Sequence, residues 1–313
     1  MVSGTRLGHT GPKGTYDIRL ESHKSIFELL IDTIKEASNK YNVKILWYIM
    51  TSKENNEETV KFFEKNNYFN YGKENIIFFI QGELPMLNEN GKILLSQKNS
   101  IKMASDGHGG IFHLINNNGI IKDMKSRNIK WLFISGVDNI LVKSVDPTLL
   151  GLTIDTKVLA GAKSIVKRNP EEKVGVFCKR NGRPSVIEYI EIPKSLSEAR
   201  NESGELKYGE SHILCNLLNI NFIEKVGEEH MPYHVAHKKA NYINENGKLI
   251  IAEEANAYKF EAFLFDAFNK LDDMVIMRVK REDEFAPIKN KEGEDSPETA
   301  RELYINFKNK QLT

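Results

Sequence analysis

Two cysteines, nine prolines and two tryptophans among 313 residues already narrow the field. Cys178 and Cys215 have neither paired spacing nor histidines at metal-ligand intervals, which argues against a disulfide framework or a thiolate metal module. Both are expected to be buried structural thiols in a reducing compartment. No apolar run is long enough to span a bilayer, and the N-terminus lacks the basic-then-apolar layout of a secretion signal, so a soluble, cytoplasmic protein is expected. Net charge is scarce too: the balance of Lys, Arg, Asp and Glu is +1. No overall field therefore recruits nucleic acid or an anionic membrane, and any anion site must be local. No internal repeat is visible.

What is present is ordinary globular material, 40% hydrophobic and 28% charged, in a chain long enough for one large α/β domain or two modest ones. Val43 to Met50, Asn75 to Gln81 and Lys130 to Ser135 read as buried strands. Helical spacing marks 22–40 and 112–127 between them. Strand and helix in alternation predict a mixed, mainly parallel sheet with helices on both faces. From about 160 to 192 shorter β-like runs separated by Asn169-Pro170 and Asn181-Gly182 predict antiparallel hairpins. Ile213 to Ile220 reads as a further strand, Lys259 to Leu271 as a helix, and Pro297 to Lys310 as a helix capped by Ser296. Asn90-Gly91 and Asn246-Gly247 read as hairpin tips.

The stretch Gly4 to Gly14 (GTRLGHTGPKG) packs flexible backbone and two cations into eleven residues. Main-chain N–H groups at Gly4 and its neighbours, the planar fork of Arg6 and the compact charge of Lys13 suit a polyphosphate. It is neither a Walker motif nor a dinucleotide fingerprint. Later loops follow strands. Gln81 offers a donor and an acceptor to a base edge, and the glycines of 105–110 (SDGHGG), Gly107 among them, would let a base or ribose rest on backbone, with His108 beside it. Asp138 at a strand end suits magnesium, with Asp106 and Asp146 as lesser carboxylates. Glu188 and Glu191 point to opposite faces of a strand, which offers one of the two as an acceptor for sugar hydroxyls. Asn256 and Lys259 are late polar groups, Asn256 a candidate sugar contact and the lysine opening an apolar helix.

Taken in order, GTRLGxxGPKG, FFxQGELP, ASDGHGG, VDNILVK, VGVFCKR, VIEYIEI, HVAHKK, ANAYKFEAFLFDAF, REDEFAPIKN and DSPETAR resemble the UDP-N-acetylhexosamine pyrophosphorylases, a branch of the UDP-sugar pyrophosphorylases, over nearly the whole chain. The resemblance implies a Rossmann-like nucleotidyltransferase core over 1–313, with an antiparallel sugar-binding part at about 160–260. It implies that UTP and an N-acetylhexosamine 1-phosphate, with magnesium, give the UDP-sugar and pyrophosphate. By the same resemblance Gly4, Arg6 and Lys13 fall on the nucleotide-phosphate loop, Gln81 and Gly107 on uracil-recognising positions, and His108 near the ribose. Asp138 falls on the metal aspartate, Gly175 and Glu188 on sugar contacts, and Lys259 on a phosphate-facing lysine.

The sequence departs from that pattern in two places. Met1-Val2-Ser3 stands where the family has a buried strand ending in Gly-Gly-Gln, so the strand is expected to be missing. Glu210-Ser211-His212 replaces a Gly-Asn step, putting His212 at a sugar-contacting position, while Asn216 stands where a histidine is common. A catalytically weak UDP-sugar-binding relative and a uridylyltransferase acting on glucose 1-phosphate are the competing readings. Binding to RNA is disfavoured by the balanced charge and by aromatics that sit in apolar runs.

Overall fold

The helical spacing of Ile26, Leu29, Leu30 and Ile34 is realised as the helix Ile26–Tyr41 in a computed structural model that describes residues 4–312. Ser25 closes its N-terminus reciprocally. Its hydroxyl accepts from Glu28 N–H at 3.3 Å, and its own N–H donates to the Glu28 carboxylate at 2.8 Å. The expectation of a missing first strand concerns Met1 to Ser3, which lie outside the described residues. By contacts the chain divides into two compact units, one of Met1–Phe79, Ile129–Phe222 and Phe268–Thr313, the other of Ile80–Asn128 and Ile223–Ala267.

The first unit is built on a six-stranded sheet in the order Arg183–Ile187, Val176–Arg180, Glu210–Asn219, Ala160–Val166, Val275–Arg278, with Trp131–Ser135 also paired to 210–219. This corrects the expectation of a mainly parallel sheet. Among the described residues its one parallel pairing joins 275–278 to 160–166, and the other pairings are antiparallel. The reason lies in the long strand 210–219. Strands 131–135 and 160–166 run in one direction, as alternation with helices predicts, but 210–219 inserts between them in the opposite sense. Asn181-Gly182 makes the expected tight hairpin, with positive φ at both residues. The strand 131–135 is half-buried at every position rather than buried. In the core, Ile26, Leu29 and Leu30 of the first helix meet Ile165, Ile213 and Cys215 of the sheet and Ala300 of the closing helix, Pro297–Leu312. A second cluster gathers Phe27, Phe63 and Phe69 against Ile49 and Ile76, with Phe27 and Phe63 centroids 4.9 Å apart.

The second unit holds three small sheets, among them 234–238 with Ala257–Glu261 and 87–88, all antiparallel. Here the predicted helix 259–271 is overturned. Ala257–Glu261 is a strand, followed by a 3-10 helix, Leu264–Lys270. The predicted helix 112–127 is two, Ile111–Asn117 and Ile120–Ser126, broken at Gly119. Both Asn-Gly tips are confirmed as turns, with the second closing a hairpin between 242–243 and 249–250. Among the described residues no helix is long and apolar enough to cross a membrane. Both cysteines are free, Cys215 buried and Cys178 only half-buried. Burial raises both thiols, Cys215 to about 12.

Candidate active site

The opening glycine-rich segment folds as two 3-10 turns, Gly4–Leu7 and Lys13–Thr15. Leu7 is buried in the core, which fixes the first turn and leaves Arg6 exposed. Lys13 is 5% exposed. Its Nζ donates to the Ile288 carbonyl at 3.1 Å, and the Ile288 N–H donates to the Asp138 carbonyl at 2.9 Å. One residue on a distant segment thus ties the lysine to the aspartate loop. Burial lowers the Lys13 pKa; the negative charge of Asp138 opposes that shift, and Arg6 and Lys289 add to it. An ammonium with three N–H donors and a single carbonyl acceptor among the described residues suits an anionic ligand. Asp138 follows the strand Trp131–Ser135 and is half-buried. Among the described residues no three His, Cys, Asp or Glu side chains are grouped to hold a metal. A lone carboxylate fits magnesium, which fills its other positions with phosphates and waters, and does not fit a structural zinc.

Also in the first unit, three sequence-predicted sugar residues come together. His212 N–H donates to the Gly175 carbonyl at 2.9 Å, and a Cβ on Gly175 would lie 3.1 Å from Glu188 Oε1. The strand carrying His212 shifts register between His212 and Asn216, with Leu214 at φ 51°. That bulge brings His212 Nε2 to 3.1 Å from Asn216 Oδ1, so the two exchanged residue types pair with each other. Phe177 and Phe268 pack edge-on to the imidazole. Asn216 Nδ2 and Ser211 Oγ, both buried, have no hydrogen-bond partner among the described residues.

In the second unit, Gln81 is buried and donates through Nε2 to the Gly107 carbonyl at 2.7 Å. Gly107 has φ +86°, and any Cβ on it would collide with the Ala262 carbonyl, so close packing on 262–263 already demands glycine there. His108 Nδ1 accepts from Leu264 N–H at 3.0 Å, which leaves the proton on Nε2. Burial of the ring lowers its pKa to about 4, and it lies beside Phe263 and Phe265. Lys259, on a strand and not at a helix start, donates to Ser105 Oγ at 3.1 Å and Glu261 Oε1 at 2.8 Å. Asp106, in the same 105–110 loop, has Oδ1 buried without a hydrogen-bond partner among the described residues, and burial raises its pKa. Asn256 is not an open polar group: its side chain donates to and accepts from the Ala240 backbone at 3.1 and 2.8 Å.

Two residues escaped the sequence reading. Lys289 sits next to Ile288, perturbs Lys13 electrostatically and pairs with Asp295 at 3.0 Å. Asn139 accepts from Ala286 N–H at 2.9 Å and donates to the Glu284 carbonyl at 2.8 Å. Both lie inside motifs that were visible, VDNILVK and REDEFAPIKN, but nothing in one dimension shows that these two segments pair. Asp146, a lesser metal candidate, caps the helix Pro147–Asp155 and binds Lys163 at 2.9 Å.

A family model described as UTP–glucose-1-phosphate uridylyltransferase matches residues 2–295. The chain is 38% identical to UDP-N-acetylglucosamine diphosphorylase 2 of Arabidopsis thaliana, covering 96% of this chain and 62% of that protein. It is 37% identical to the UDP-N-acetylglucosamine pyrophosphorylase of Saccharomyces cerevisiae, covering 96% and 66%. The chain thus spans somewhat under two thirds of the length of these relatives. A crystal structure from Entamoeba histolytica, assigned as a UDP-N-acetylglucosamine pyrophosphorylase, is 36% identical and superimposes with a TM-score of 0.90 over 97% of this chain and 78% of that one. The inhibitor complex of the Trypanosoma brucei uridine diphosphate N-acetylglucosamine pyrophosphorylase gives 31% and 0.86, covering 97% and 63%.

Proposed function

The chain belongs to the UTP–glucose-1-phosphate uridylyltransferase family, and from that premise we propose that it is a cytoplasmic uridylyltransferase that makes UDP-N-acetylglucosamine, or a related UDP-N-acetylhexosamine, from UTP and the sugar 1-phosphate. The observation that carries this reading is the buried Lys13 ammonium, held beside Asp138 with Arg6 and Lys289 nearby. In the reaction an oxygen of the sugar phosphate attacks the α-phosphorus of UTP. The bond from that phosphorus to the α,β-bridging oxygen breaks, and its electron pair leaves on pyrophosphate. Both reactants are already ionised, so no protein nucleophile or base is needed, and positioning with charge neutralisation carries the rate.

Lys13 and Arg6 would take up charge developing on the departing pyrophosphate, with the N–H groups of the turn beginning at Gly4 beside it. Asp138 would hold magnesium, which when bound supplies charge neutralisation to the phosphates. Gln81, Gly107 and His108 would meet the uridine, with the neutral His108 offering Nε2–H as a donor. Gly175, Glu188 and His212 would meet the sugar, Lys259 the phosphates, and Asn256 would act by holding the Ala240 backbone. A pyrophosphate-release assay with UTP and a panel of sugar 1-phosphates, with and without magnesium, tests the reading. Release with N-acetylglucosamine 1-phosphate that requires the metal is the expected result. Release only with glucose 1-phosphate would reassign the sugar, and UDP-sugar binding without any release would leave a binding protein in its place.

A further inference from the structure

Lys163 lies at the middle of the central strand Ala160–Val166 with no exposed surface, an expensive place for an ammonium unless its surroundings repay it. Two carboxylates do so. Asp146 Oδ2 is 2.9 Å away and 3% exposed, and Glu284 Oε2 is in direct hydrogen-bonded contact and 13% exposed. Each acid is also committed elsewhere. Asp146 Oδ1 accepts from the N–H groups of Thr148 and Leu149, at 3.0 and 3.4 Å, at the start of helix 147–155. Glu284 begins the run that meets the aspartate loop: its carbonyl accepts from Asn139 Nδ2, Ala286 exchanges hydrogen bonds with Asn139 Oδ1 and Ile140 N–H, and Ile288 bridges Asp138 and Lys13.

From this connected path we infer that Lys163 and Glu284 are positioning residues: their buried ion pair clamps the 284–288 segment to the sheet, and that segment in turn sets Lys13 against Asp138. The inference rests on the proposed uridylyltransferase reading for its effect on rate, but the clamp itself can be tested without turnover. A simpler alternative is that the triad only stabilises the fold, and the two acids separate these cases. Asp146 shares the lysine but is joined to the helix 147–155, whereas only Glu284 is joined to the segment.

Glu284→Gln keeps the shape and removes the charge, and Asp146→Asn does the same on the other side. Amide hydrogen exchange on the whole chain is expected to show Ala286 and Ile288 exchanging at least tenfold faster in Glu284→Gln, with helix 26–41 unchanged, while Asp146→Asn leaves those two amides protected. In the uridylyl-transfer assay Glu284→Gln should lose about tenfold in kcat with KM for UTP within twofold of wild type. Wild-type protection of both amides in Glu284→Gln, uniform acceleration across the chain, or equal effects of the two variants would each overturn the clamp. If the wild-type chain transfers no uridylyl group, the functional reading fails, and the exchange pattern still decides for or against the clamp.

Discussion

Lys13 is the residue on which the proposed chemistry leans most, and its environment sets the size of the effect expected on removing it. Loss of one preorganised charge donor at a reacting centre costs about 10²–10³ in kcat. Lys13→Met keeps most of the buried stem and deletes the ammonium, so kcat should fall by that factor while the unfolding midpoint stays within a few degrees; a variant with most of its turnover would remove Lys13 from the reaction. His108 gives a second residue-scale test. Its pKa is lowered to about 4 in the fold against about 6.5 in an unfolded chain. Between those values the unfolded state binds the proton and the folded state does not, so this group's contribution is fully present above pH 6.5. It declines as the pH falls and levels off below about 4. The decline amounts to roughly 3 kcal/mol at most. His108→Asn should flatten the dependence of urea-unfolding free energy on pH across that window, and an unchanged slope would show the ring to be titrating normally.

At the scale of elements, the helix Ile26–Tyr41 shows what local sequence can fix. Its apolar spacing, the Ser25 and Glu28 capping box and the left-handed Asn42 at its end are all short-range signals, and they agree. Ser25→Ala should cost about 1 kcal/mol in chemical denaturation, with kcat of the folded protein unchanged; a loss of turnover at equal stability would tie this cap to the site. Segment 257–271 shows the opposite. Its run YKFEAFLFDAF satisfies a two-residue period at Tyr258, Phe260 and Ala262 and a helical one at Phe263, Leu264, Ala267 and Phe268. Pairing with 234–238 and 87–88, far away in the chain, decides for the strand. Lys259 is therefore aimed by cross-strand neighbours rather than by a helix. The direction of the central sheet escaped for the same reason, since the insertion of 210–219 between two parallel-running strands is a long-range choice. Motif order picked out the candidate residues one by one. The Asn139 and Lys289 contacts were not, because they arise where residues 138–142 meet residues 284–289.

For the molecule as a whole, the near-zero net charge and the local cations make a joint prediction. With no overall field to attract every anion, a nucleotide must be selected by local groups, which in the proposed reading are the cations of the opening segment and the Gln81 and 105–110 loops. UTP with magnesium should therefore stabilise the chain more than ATP with magnesium at equal concentration. At a hundred times its Kd a ligand that binds only the folded state adds about 2.7 kcal/mol. For a chain of this size that corresponds to a rise of roughly 5 °C in the unfolding midpoint. ATP offers the same triphosphate to Arg6, Lys13 and Asp138 but a purine edge to Gln81 and the Gly107 loop, so its shift should be a small fraction of that. Lys13→Met should lower the UTP shift through the phosphates alone and leave the preference for uracil intact. Differential scanning fluorimetry of the whole chain measures all four combinations. Equal shifts with both nucleotides would mean that the 105–110 loop does not read the base, and no shift with either would remove the opening segment from nucleotide binding altogether.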